Sequence, residues 1–383
     1  MIKSICVVSE GYPYEDDPQF AFVENLCNAF ARKGVQVTVI SPQSLIHILL
    51  GKEKKHPMVR TYSEEGGAEI TVFRPRFIML PYRFRKFNDK AFKRAVERTY
   101  YKKKLNPDVC YGHFWNNAYY ISDVAKKESK PLFVASGEGN FDELEGLYTS
   151  PAYRAFTKEV AGVICVSSSC KDYSVSYGMT TLDKCVVLPN AIDHNLFYVK
   201  DKKTLRKQYS VPDDKFIVAF TGSFIHRKGS DRLSQAIELL KDEDICSFFI
   251  GAGQGPENLV PTCPGVLYCG KVAHEKIADY LNMADVFVLP TLNEGCCNAI
   301  IEAMACGLPI VSSDRPFNHD LLDNNNSILV DPLNIDEIAA AIKRLKEDAT
   351  LREGLVKGAL ETAKAQEINI RAGKIIDFIS YSM

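Results

Sequence analysis

The chain is expected to fold as α/β, in two Rossmann-like domains each built on a parallel sheet. Three observations predict this. Its 383 residues are more than one hydrophobic core usually organises, which favours two domains of similar size. Short apolar runs alternate with stretches of helical period along the chain, the pattern of successive βα units. The alternation is interrupted by a polar stretch at 200–203 and then begins again.

In the first half, strands are expected at about 2–9, 35–40, 69–74, 108–111, 131–135, 162–166 and 184–188, with helical patterns such as 20–33 between them. The second half should place strands at about 216–220, 245–250, 265–269, 285–289, 308–311 and 327–330, and the chain ends in helical segments after Ile335. The second domain is set to begin near residue 199, giving domains of 1–198 and 199–367.

Composition narrows the function. A formal charge of −1 with 25% charged residues gives no global attraction to nucleic acid. The first residues form a short strand-like run with no cleavage site, and no apolar stretch approaches the ~20 residues that span a bilayer. The expected location is the cytoplasm, with peripheral attachment to the cytoplasmic face of the membrane as an option. The 12 cysteines show no paired C-x-x-C metal spacing. Cys6, Cys110, Cys165 and Cys246 fall in apolar runs as small hydrophobes, and adjacent Cys296 and Cys297 favour packing over a disulfide.

The most informative stretch follows the strand at 285–289. It reads Asn293-Glu294-Gly295-Cys296-Cys297-Asn298-Ala299-Ile300-Ile301-Glu302-Ala303-Met304-Ala305-Cys306-Gly307-Leu308-Pro309. Glu294 lies in a loop at a strand's carboxyl end, where open α/β sheets hold ligands. A helix from about 298 to 306 would leave N–H groups near Cys297 and Asn298 free for an anion such as a diphosphate, with Glu302 near its start. Taken singly, Glu294 suits a solvated loop and Glu302 a favourable acid near a helix N-terminus.

The spacing Glu-x7-Glu followed by Ala-x-Ala-x-Gly-x-Pro resembles the signature of the retaining GT-B glycosyltransferases of family 4. The resemblance implies two domains facing a central cleft, with Glu294 holding hydroxyls of the donor sugar and Glu302 the ribose of its nucleotide. Residues 221–229, Thr-Gly-Ser-Phe-Ile-His-Arg-Lys-Gly, resemble the family's Gly-Arg-x4-Lys-Gly element. Gly222 and Ser223 would lie against phosphate and Lys228 would supply charge. Ser223 stands where the pattern has arginine, so Arg227 is the candidate second cation; a solvated basic turn is the plainer alternative. The turn from Ile250 to Pro256, with Gly251 and Gly253, departs from the dinucleotide fingerprint and is not read as an NAD site. In the family such a turn shapes the nucleotide pocket, and Lys271 and Val272 match backbone that contacts the base. Residues 189–197 resemble the family's interdomain junction, and the last helix, about 368–383, should return to the first domain.

In that first, acceptor-side domain, Gly11, His113 and Glu138 are cleft candidates at strand ends, with His113 the candidate catalytic group; a hydrogen-bonded turn histidine is an equal reading. The implied enzyme is a retaining hexosyltransferase that needs no metal and no cofactor. It moves sugar from a nucleotide diphosphate sugar, by default UDP-sugar, to a carbohydrate or polyprenyl-diphosphate-linked acceptor in surface polysaccharide or glycolipid synthesis. A GT-B-fold UDP-sugar 2-epimerase and a non-catalytic carbohydrate-binding relic are the alternatives. Finally, residues 74–104 hold 12 Lys/Arg against Asp89 and Glu97, a local charge of 12 − 2 = +10, with interleaved aromatics. This segment is expected to meet an anionic membrane surface rather than nucleic acid, with solvated surface as the plainer reading.

Overall fold

The computed structural model describes residues 2–15, 17, 20–64, 66–137 and 150–383. They form two compact units, one of Met1–Leu188 with Ile368–Met383 and one of Pro189–Glu367.

In the first unit the strands are β1 (Ser4–Ser9), β2 (Gln36–Ile40), β3 (Gln43–Ser44), β4 (Val59–Ser63), β5 (Glu69–Phe73), β6 (Arg76–Phe77), β7 (Val109–His113), β8 (Leu132–Ser136), β9 (Gly162–Cys165) and β10 (Cys185–Val187). Among the described residues they make a sheet in the order β10-β9-β8-β7-β1-β2-β5-β4, with β3 and β6 paired separately. β7, β8 and β9 are buried along their whole length. That is why they read as unbroken apolar runs: helices cover both faces of a parallel sheet. The direction of winding reverses between β1 and β7, where Ser9 lies opposite His113.

Three strands were not anticipated. β4 is antiparallel to β5, and its alternation of exposed and half-buried residues gives an edge strand no apolar run to announce it. The two-residue β3 and β6 are too short to carry a period.

The C-terminal helix Ile368–Tyr381 belongs to the first unit by its packing. Ile368, Ile375, Ile376 and Ile379 are buried, Phe378 meets Phe133 edge-on at 6.2 Å, and Arg32 Nε donates to Asn369 Oδ1 at 2.8 Å. The second unit begins at Pro189, ahead of the expected 199. Ile192 and Phe197 are buried in its core, and Ile192 N–H donates to Gln366 O at 3.0 Å.

The second unit contains β11 (Phe216–Thr221), β12 (Ile245–Ile250), β13 (Val266–Gly270), β14 (Val286–Leu289), β15 (Ile310–Ser313) and β16 (Ser327–Val330). Their order is β13-β12-β11-β14-β15-β16, all parallel. The first three strands run outward one way and the last three the other, so a switch point falls between β11 and β14, the place where such sheets bind ligands.

The basic segment is less uniformly exposed than its charge count suggests. Arg74 is 1% exposed and donates to the carbonyls of Tyr12 and Pro13. Arg76 binds Gln43 and the His56 carbonyl, and Lys93 pairs with Asp123 at 2.8 Å. The rest of the cations lie on or beside the helix Arg85–Lys102.

Ile375→Ala should destabilise the first unit by about 2–5 kcal/mol, the cost of emptying a fully buried position, read as a shifted urea unfolding transition. An unchanged transition would mean that the C-terminal helix is not part of that unit's core.

Candidate active site

Two loops flank the switch point of the second sheet. The loop after β11 runs to the helix Ser230–Leu240, and the loop after β14 runs to the helix Asn298–Ala305. They are tied by backbone, since Leu292 N–H donates to Arg227 O at 2.8 Å. Gly229 sits at φ 78°, and a Cβ there would lie 2.7 Å from the Pro290 carbonyl. Only glycine allows that conformation together with that approach. Arg232 fastens the same turn, donating to the carbonyls of His226 and Pro290, each at 2.8 Å.

Around this seam the charged residues converge. Lys228 Nζ lies 2.6 Å from Glu294 Oε1 and Arg227 Nη1 2.7 Å from the same oxygen. Arg227 also donates to the Asn293 carbonyl at 2.6 Å, and the Thr291 hydroxyl donates to Glu294 Oε1 at 2.7 Å. The Glu294 side chain is 11% exposed. Burial by itself would raise its carboxyl, but Lys228 and Arg227, with the hydrogen bonds from Lys228 and Thr291, hold it below the usual carboxylate range. The cluster therefore stays ionised at neutral pH and carries one more cation than anion.

Glu302 is the opposite case. It lies on the helix Asn298–Ala305 with its side chain 13% exposed, and His274 Nε2 is 4.0 Å away, too far for a hydrogen bond. Burial lowers the His274 imidazole below its ordinary value. Burial also pushes the Glu302 carboxyl up to about 7. Half-buried Asp285 of this unit is well paired by contrast: it receives Arg206 at 2.7 Å, Lys202 at 2.9 Å and the Ile217 N–H at 2.7 Å. Between the two glutamates lies buried Cys297 at the helix start. Burial raises its thiol to about 11, and it feels Lys228, Glu294 and Glu302.

The remaining residues singled out in the second unit surround these. Gly222 and Gly251 pack so closely that a Cβ on Gly251 would lie 1.8 Å from the Gly222 carbonyl oxygen. Gly222 N–H donates to Ile250 O and Gly251 N–H to Gly270 O, each at 2.9 Å, so the ends of β11, β12 and β13 are laced together. Ser223 lies in that loop, and Gly253 immediately precedes the turn that Gln254 and Glu257 close. The Lys271 carbonyl accepts the Tyr268 hydroxyl at 2.8 Å, and Val272 follows it, half-buried against the core. Gly295 and Cys296 lead into the helix. Asn190 donates to Asn298 Oδ1 at 2.8 Å and to the Cys296 carbonyl at 3.3 Å.

In the first unit His113 ends β7, and Gly11 follows β1 across the sheet's switch point. His113 is 4% exposed and packed by Phe22 and Phe114, with ring centroids at 5.4 and 4.9 Å. Burial, then the charge of Arg371, lowers its imidazole to about 3. Its Nδ1 is buried without a partner among the described residues. Glu138 lies outside the described residues.

Sequence reasoning missed Thr291, Asn190 and His274. Thr291 follows the apolar strand and carries no charge to mark it. Asn190 lies within the 189–197 junction, and nothing local marks His274, which nears Glu302 only through the fold.

Matches to known proteins identify the family. The model of Glycosyltransferase Family 4 matches residues 20–196, and that of Glycosyl transferases group 1 matches residues 215–348. The chain belongs to glycosyltransferase family 4. It is similar to TuaC of Bacillus subtilis, named as a teichuronic acid biosynthesis glycosyltransferase, at 26% identity over 368 residues, covering 94% of this chain and 93% of that one. Among solved structures, a sucrose-phosphate synthase of Thermosynechococcus elongatus superposes with a TM-score of 0.80 at 18% identity over 100% of both chains. The Anabaena protein HepE, solved with UDP-glucose, gives 0.74 at 16% identity over 99% of both. The family 4 enzyme thus has the GT-B fold.

Glu302→Gln should stabilise this ligand-free glycosyltransferase at pH 8. A carboxyl whose folded value is about 7, against an unfolded value of 4.5, favours folding less and less as pH rises between those values, and the full penalty stands above 7. The gain should be on the order of 3 kcal/mol at pH 8 and much smaller at pH 4.5. A melting temperature that the substitution leaves unchanged at both pH values would contradict the buried, unpaired carboxylate.

Proposed function

We propose that this family 4 enzyme transfers a hexose-type sugar from a UDP-sugar to a saccharide acceptor, free or carried on a polyprenyl diphosphate, in surface polysaccharide or glycolipid synthesis. Transfer retains the anomeric configuration and needs no metal ion. The observation that carries this reading is the pairing of opposites at the second sheet's switch point. Two cations converge on an ionised glutamate, and a second, largely buried glutamate has no hydrogen-bond donor among the described residues. The UDP-glucose complex of HepE and the name of TuaC support the donor and acceptor classes.

In this reading the ribose hydroxyls of the nucleotide donate to Glu302, and sugar hydroxyls bind Glu294. Lys228 and Arg227 stabilise negative charge growing on the departing diphosphate, aided by the N–H groups at the start of the helix Asn298–Ala305. Fixed charges of this kind need no reorganisation during reaction. They take the place of a bridging metal. The departing phosphate oxygen accepts the proton of the attacking acceptor hydroxyl as the new glycosidic bond forms on the same face, so no carboxylate near the anomeric carbon is required. His113 of the first unit, with its imidazole lowered to about 3, is held as a neutral hydrogen-bonding group.

Glu302→Gln should weaken UDP binding by about 10- to 100-fold, the loss of a charge-assisted hydrogen bond of roughly 1.5–3 kcal/mol, whereas Glu294→Gln should chiefly lower turnover. Wild-type affinity should rise with pH through about 7, because the hydroxyl donors require the ionised carboxylate. Calorimetric titration with UDP checks both points; equal affinity of wild type and Glu302→Gln at pH 8 would refute the ribose assignment.

Lys228→Ala should reduce transfer by about 10²–10³-fold, the range for losing one preorganised donor, while EDTA should leave the wild type unaffected. Product analysis with and without acceptor tests the reaction class. Activity lost to EDTA and restored by Mg²⁺ would overturn metal independence, and conversion of the sugar nucleotide without acceptor would favour an epimerase.

A further inference from the structure

The helix Arg85–Lys102 carries Lys90, Arg94, Arg98 and Lys102 four residues apart, a spacing that stacks side chains along one face. All four are exposed. Among the described residues none of these four has an ion-pair partner; Lys93 of the same helix pairs with Asp123, and Asp89 is engaged by the Tyr120 hydroxyl at 2.8 Å. Like charges at this spacing repel, so the ladder is a row of cations awaiting anions.

Beside the ladder runs an apolar groove of about 570 Å³, within the ~300–1,000 Å³ of ligand pockets. Phe73, Phe77, Ile78, Phe87, Ala91 and Ala95 line it, and the four ladder cations lie along it. Small alanines at 91 and 95 keep the trough open. Met58, Val59, Ile78 and Phe87 are 58%, 46%, 50% and 47% exposed and line the same groove, so large apolar surface surrounds it. A nucleic acid would satisfy the cations and leave the trough empty, and a partner helix would fill the trough but need its own acidic stripe. An anionic lipid satisfies both, with phosphate at the cations and a chain among the apolar groups.

We propose that this face of the first unit is a binding site for a single phospholipid of an anionic bilayer, its phosphate on the Lys90–Lys102 ladder and one acyl chain in the groove. The site would hold the enzyme on the membrane surface, and it stands apart from the donor chemistry: it uses neither Glu294 nor Glu302 and is read without any sugar nucleotide.

The test is flotation of the full chain with vesicles of phosphatidylcholine alone or mixed with phosphatidylglycerol. The protein should float with the mixed vesicles only. Arg94→Gln combined with Arg98→Gln should lower partition by about 25-fold, about fivefold for each cation removed. Ala91→Trp, which fills the trough at unchanged charge, should also lower it, with a cooperative urea unfolding transition like that of the wild type confirming that the variant is folded. In Phe87→Trp, the added tryptophan should be quenched by vesicles with brominated chains, while Trp115, at 0% exposure, should not. Equal partition to neutral and anionic vesicles, or none to either, would overturn the site. Wild-type partition by Ala91→Trp with no quenching at position 87 would reduce it to adsorption by charge and also overturn it. Capture of RNA without vesicle binding would assign the ladder to nucleic acid instead.

Discussion

The ligand end of the second sheet depends on keeping one carboxylate charged where water barely reaches it. Burial opposes ionisation of Glu294, and three groups overcome it: Lys228, Arg227 and the Thr291 hydroxyl. The cations come from the loop after β11, the carboxylate and hydroxyl from the loop after β14. These loops are neighbours because the strand order reverses between them. A buried charge stripped of one partner typically costs about 3–5 kcal/mol, so the cluster holds both sides of the switch point to a single geometry. It is also a store of positive charge already in place before any ligand arrives.

Backbone contacts keep this seam narrow. Gly222, Gly251 and Gly270 end three adjacent strands and pass hydrogen bonds from one to the next. At Gly251 the approach to the Gly222 carbonyl leaves no room for a side chain. The resulting floor is made of main chain, which presents N–H and carbonyl groups without side-chain motion. Such a surface suits polar ligands in general.

Glu302 shows what a site costs the fold. Elsewhere in the same unit the carboxylates of Asp279 and Asp285 are saturated by Lys200, Tyr209, Lys202 and Arg206, as buried charges must be to offset desolvation. Among the described residues Glu302 has only a histidine at 4.0 Å. A carboxyl pushed up to about 7 by burial weakens the fold once it ionises, and in the proposed reading ligand hydroxyls supply its hydrogen bonds. The cation ladder on the first unit follows the same logic on the surface: four like charges in register, beside a trough left open by alanine.

The parallel strands were legible because central strands of a covered sheet must be apolar throughout, so β7, β8, β11, β12 and β14 stood out as runs. Glu294, Lys228 and Glu302 were singled out only by the spacing they share with a known family, since each taken alone suits an ordinary loop or helix-start position. β4 was not legible, since an edge strand alternates weakly, and residues 189–198 were placed with the wrong half because Ile192 and Phe197 show apolarity but not which core receives them. Arg74 and Lys90 look alike in sequence, yet one is buried on backbone carbonyls and the other stands free. The sequence by itself determined which segments are strands and which carry charge, because propensity and periodicity are local. Only the tertiary structure decided which cations are consumed, that Thr291 and Lys228 meet on Glu294, and that Glu302 is left without a donor. Those outcomes depend on distances between segments far apart in the chain, set by sheet order and close packing.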